Sequence, residues 1–144
     1  MKPCATYDDV NLVIKLYDLR REARLREART WFGKHCRFSS AAEFEAACPM
    51  GSEGSTLFWQ VVTYWEMVAS FLTSGVLHKD LFFQSGGEMI FTWLRVEPLL
   101  GGFRKAMKDP NLLGNLETAS KWYIEWLSDR SPGAYEAMKD IMAG

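Results

Sequence analysis

The chain is 144 residues long, carries 17 Lys and Arg against 18 Asp and Glu, and is 48% hydrophobic. That apolar share excludes disorder and polar low complexity, and the length suits one hydrophobic core, a single domain over residues 1–144. A formal net charge of −1 argues against a dedicated binder of nucleic acid or anionic membrane, whose footprint is a basic excess.

In chain order, Thr6 with Asp9 reads as a capping box that opens a first helix running to about Phe32 and stopping near Gly33. Ser40 with Glu43 is a cleaner box, starting a short helix that Pro49 ends. The stretch Met50-Gly51-Ser52-Glu53-Gly54-Ser55 is rich in turn formers and reads as a loop. A central helix follows from about Ser55 to Ser74, closed by Gly75 as a left-handed C-cap. Another helix follows His78, with Gly86-Gly87 inside it as a kink or close crossing. Pro98 is expected to open a further turn or helix through Met107. Asp109-Pro110 restarts the chain into a helix ending near Asp129, and Ser131-Pro132 opens the last, through Met142. No two-residue alternation is long enough for a strand and no repeat has a fixed period. The expected architecture is all-α, a bundle of about five to seven helices.

The segment Leu57 to Leu77 is long enough to span a bilayer, but Glu66 falls at its middle, where a carboxylate costs about 2.5–3.5 kcal/mol. It reads as a core helix, hydrophobic nearly all round. No apolar run follows Lys2, so no secretory signal is expected. Cys4, Cys36 and Cys48 cannot all pair and lack C-x-x-C spacing, which points to reduced thiols and a cytoplasmic setting. His35 beside Cys36, with His78 the only other histidine, is too little for a metal site, so no metal or cofactor is expected.

On one continuous helical wheel, Val10, Val13, Ile14, Tyr17, Ala28, Trp31 and Phe32 form one stripe, with Arg21 and Arg24 inside it. Arginines so placed need carboxylate partners, and the acids embedded in apolar helices are Glu66 and Glu88. The expected pairing is Arg21 or Arg24 with Glu66, as a structural link. A polar cleft for a small polar or anionic ligand is expected from Arg21, Arg24, Glu66, Glu88 and Arg95, because guanidinium forks suit carboxylate and phosphate. No catalytic motif is present: G-x-S-x-G, H-E-x-x-H, a P-loop and a dinucleotide fingerprint are all missing. The leading functional expectation is a non-enzymatic interaction module that self-associates as a homodimer through its first helix, where a two-fold contact is self-complementary. The alternative is a ligand-binding protein or enzyme using the polar cleft. A nucleic-acid surface from Lys15, Arg20, Arg26, Arg29, Lys34 and Arg37 is the least favoured, because these residues scatter around the helix.

The basic, Ala-rich RREARLREAR segment is followed by Glu66 ahead of Gly75 and Leu77, then by Asp80 and a Trp93-x-x-x-x-Pro98 spacing. Over about Arg20 to Pro98 the chain resembles a bacterial family of helical proteins classified as a domain of unknown function. The resemblance implies a bacterial all-α domain and supplies no activity. It also raises interest in Glu66, Trp93 and the Arg21/Arg24 pair as a structural polar cluster.

Overall fold

The computed structural model describes residues 2–143, and within them every regular element is helical. The helices are α1 (Tyr7–Arg20), α2 (Ala23–His35), α3 (Ala41–Ala47), α4 (Glu53–Thr73), α5 (Lys79–Phe83), α6 (Glu88–Met107), α7 (Gly114–Arg130) and α8 (Ala134–Ala143). The all-α expectation holds. The count of eight among the described residues is slightly above the expected number, chiefly because one expected helix is two.

The expected first helix breaks at Arg21–Glu22. Arg21 is the C-cap of α1, and the Glu22 carboxylate accepts a hydrogen bond from the Leu25 amide, capping α2. A local N-cap of this kind competes well against helix continuation, since it satisfies a donor that would otherwise be orphaned. The opposite correction applies to Pro98. It lies inside α6 on an exposed face instead of opening a new helix. The Gly86-Gly87 pair precedes α6, with Gly87 as its N-cap, and separates it from the short α5. Gly86 is required by space: a Cβ there would collide with the Phe82 ring.

α4 is the central strut. Phe58, Val61, Val62, Tyr64, Trp65, Val68, Ala69 and Leu72 are buried along it, and it packs chiefly on α7 and α2. No helix among the described residues is long and apolar enough to cross a membrane. Phe44 from α3 sits between Phe58 and Phe103, with ring centroids 4.5 and 5.5 Å away, knitting α3, α4 and α6 together. α3 reaches α6 over Gly102, where an added Cβ would fall 2.5 Å from the Ala41 methyl.

The start of the chain is fastened by Asp9, which is 1% exposed. Its carboxylate accepts from the Thr6 amide at 2.7 Å, the His78 amide at 2.9 Å, the Thr6 hydroxyl at 3.1 Å and Lys2 Nζ at 3.0 Å. Burial alone would raise its pKa; these donors outweigh burial and hold it far below the usual carboxylate range. The expected box at Thr6 therefore also clamps the loop that leads into α5.

Candidate functional site: an arginine-lined cleft

The expected polar cluster does not assemble as expected. Arg21 and Arg24 are exposed, and neither has a carboxylate at ion-pair distance among the described residues. The break at Arg21–Glu22 resets the helical phase, so the continuous wheel that placed them with Val10 and Trp31 does not apply. Glu66 finds another partner. It accepts from the Leu116 amide and from Asn115 Nδ2, each at 2.8 Å, and so caps the N-terminus of α7. A helix N-terminus carries partial positive charge and unpaired amides, which is what a lone mid-helix carboxylate needs.

Glu88 is paired with arginines of the first two helices, but not the expected ones. Arg29 grips it through Nε at 2.8 Å and Nη2 at 2.5 Å, and Arg20 Nη1 lies 3.8 Å away. The remaining Arg29 donor reaches the Arg20 carbonyl at 3.1 Å, covering an unpaired acceptor at the end of α1. The bond to Glu88 raises the pKa of Arg29 further. Glu88 is thereby committed to fixing α6 against α2 and is poorly placed to act as a base.

Beside this pair, α2 and α6 face each other across a cleft of about 470 Å³. Arg26, Arg29, Thr30 and Gly33 line one side at the three- and four-residue steps of a helical ridge, and Arg37 joins them from just past the end of α2. Glu88, Phe91, Thr92 and Arg95 line the other by the same rule. Phe32 and Val61 form an apolar floor, and Ile141 and Met142 of α8 border one end. Gly33 widens the cleft, for a Cβ there would meet nothing within 4 Å. Four guanidinium groups thus line a cleft with one carboxylate, which Arg29 holds. Arg95 donates to the Cys36 carbonyl at 2.8 Å, and its pKa is drawn down, first by burial and then by the nearby Arg37. A smaller hollow of about 370 Å³ shares Arg37, Arg95 and Met142 with this cleft and is also lined by Lys139.

Of the expected site residues, the structure brings Glu88 and Arg95 to this cleft and leaves Arg21, Arg24 and Glu66 outside it. Arg26, Arg29 and Arg37 belong to it, although the sequence reading grouped them with Lys15, Arg20 and Lys34 as a scattered basic surface. Arg26, Arg29, Thr30 and Gly33 recur at three- and four-residue steps, a signal the sequence carries, whereas Arg37 lies past the end of α2 and reaches the cleft through the fold. The Cys36 thiol is buried and pushed up to about 12 by that burial, which opposes a nucleophilic role. His35 packs near Trp31 at 5.9 Å, and His78 Nδ1 accepts from the Leu81 amide to cap α5. No cluster of metal-ligating side chains occurs among the described residues.

The chain is thus an all-helical domain with a cationic, partly apolar cleft between α2 and α6. The family described as a domain of unknown function, DUF4760, matches residues 5–122, and the chain belongs to that family. No curated protein and no solved structure matches it.

Proposed function

We propose that this protein is a helical binding module whose α2–α6 cleft takes an amphipathic anion, with a phosphate or carboxylate head and a short apolar body. The observation that carries the reading is the convergence of Arg26, Arg29, Arg37 and Arg95 on one cavity with Glu88 as its only acidic lining residue among the described residues. Guanidinium forks bind such heads bidentately. The Phe32, Val61 and Phe91 side chains offer apolar contact to the rest of the ligand. The three free thiols fit a cytoplasmic place of action.

The test is a thermal-shift titration of the full chain with octyl phosphate, octanoate and, as the neutral control, octyl glucoside. A ligand at a hundred times its dissociation constant stabilises by about 2.7 kcal/mol. For a domain of this size that raises Tm by roughly 5–10 °C. The anions should raise Tm and the glucoside should not, and Arg95→Ala should abolish the rise. Equal responses to all three, or an unchanged response in the variant, would overturn the proposal.

A second reading, self-association, is favoured by one observation. Tyr7, Val10, Ile14 and Tyr17 lie on one face of α1 and are 78%, 39%, 55% and 53% exposed. The occupant that fits this face is a second copy in antiparallel orientation. α1 has the exposed Asp8 in its first turn and the exposed Arg21 as its C-cap, so antiparallel pairing sets opposite charges near each other. Sedimentation at micromolar concentration should show a dimer that Ile14→Asp reduces to 16.5 kDa. A wild-type chain that sediments only at that mass would overturn this reading.

A further inference from the structure

α8 is the element of the cleft with the weakest attachment. It buries no residue fully, whereas α2 and α6 bury several each. Its main packing partner is α7. It follows a tight turn in which Gly133 takes φ +91°, a left-handed conformation that glycine adopts without strain. It also lies outside the residues matched by the family, while the α2 and α6 walls of the cleft lie inside them. Elements with so little buried apolar surface open at low cost relative to the core.

The last turn of this helix sits among the arginines. Ile141 and Met142 border the larger cleft, and Met142 with Lys139 borders the smaller hollow, Arg37 and Arg95 lining both. Arg37 Nη1 donates to the Met142 carbonyl at a long 3.4 Å. The last carbonyls of a helix have no partner within it and together carry about half a negative charge. Arg37 therefore holds a weak internal acceptor where a full anionic charge would bind more strongly.

We propose, building on the anion reading above, that α8 is an internal competitor for the cleft. Its C-terminal end rests on Arg37 in the absence of ligand, and an amphipathic anion that engages Arg37 and Arg95 displaces it. Ligand binding is thereby converted into release of a short amphipathic helix, whose Tyr135 and Met138 are only partly buried in the docked state.

Hydrogen exchange on the full chain tests this, with octyl phosphate as the probe and its binding followed separately by calorimetry. At saturation the amides of residues 134–143 should exchange at least several-fold faster, with those of α4 unchanged. Arg37→Ala should speed the same amides without any probe. Ile141→Glu, at a well exposed position, adds an anionic competitor to α8 and should weaken octyl phosphate binding several-fold. Binding that slows α8 exchange or leaves it unaltered would overturn the competition and leave the anion site standing. Unchanged affinity in Ile141→Glu would do the same. No binding at all would overturn both.

Discussion

Replacing Asp9 by Asn is the sharpest probe of how the start of the fold is held. The two side chains have nearly the same shape, so the change isolates charge and hydrogen-bond polarity. The Asp9 carboxylate is 1% exposed and serves four donors, two of them the backbone amides of Thr6 and His78. An Asn can present its carbonyl to only one of those amides, and its own NH₂ must then face the other. Loss of a charge-assisted bond costs about 1.5–3 kcal/mol, and a stranded buried donor costs about 1–3 kcal/mol. Partial relaxation of the Lys2 end brings the expected loss to roughly 2–4 kcal/mol in urea denaturation at pH 7. The pH dependence supplies a second check. The folded pKa of Asp9 lies well below its ordinary 3.8, so its contribution is present above that value and lost as pH falls toward the folded pKa. The stability gap between wild type and Asp9→Asn should therefore stay constant from pH 7 down to about 5 and narrow below about 4. A variant within 0.5 kcal/mol of wild type, on the order of measurement error, would refute the clamp. So would a gap that does not narrow in acid.

Three further expectations follow from single residues. Glu66→Gln removes a charge from the α7 N-terminus and leaves one of two accepted bonds, so chemical denaturation should show a loss of about 1–2 kcal/mol; a loss of 3–5 kcal/mol, on the order expected for a broken buried ion pair, would restore an arginine partner. Gly33→Ala should raise stability by up to about 1 kcal/mol, because a helical Gly is replaced where a Cβ meets open space. Gly33→Leu should instead remove the thermal response to octyl phosphate by filling the cleft. Native-state alkylation with iodoacetamide at pH 8 should modify the exposed Cys4 and spare Cys36, whose thiol is buried and pushed up to about 12; labelling of Cys36 at a rate like that of Cys4 would contradict its burial.

Much of the fold is legible in the chain because the local signals are strong. Ser40 does accept from the Glu43 amide at 3.1 Å, Thr6 does donate to Asp9, and the Leu57–Leu77 run does become the buried centre of the bundle. Pro98 departs from the expectation because a proline on an exposed helix face forfeits one hydrogen bond, a cost that packing of Val96, Leu99, Leu100 and Phe103 offsets. The site was less legible, and one junction explains most of it. Whether a charged run continues as one helix through Arg21 and Glu22 depends on a competition of about a kilocalorie between capping and propagation. Pattern reading does not resolve so small a difference, and every facing assignment beyond the break depends on its outcome.

The same capping chemistry accounts for a cationic cleft in a chain whose overall charge is −1. Acids are taken up at the starts of helices and turns: Asp9 at α1, Glu22 at α2, Glu43 at α3, Glu66 at α7 and Asp109 before Asn111. Each stabilises local backbone through amides, and none of these acids lines the arginine cleft. Glu88 is the exception, and Arg29 claims both of its oxygens. Arg26, Arg37 and Arg95 consequently border the cavity without a carboxylate at ion-pair distance among the described residues. Net charge sums these groups as though they were interchangeable, whereas the fold assigns anions to amides and leaves cations for something else. A cleft that draws Arg95 below its ordinary basicity and settles Arg37 on a helix-end carbonyl is electrostatically incomplete. On the reading proposed above, an incoming anion completes it.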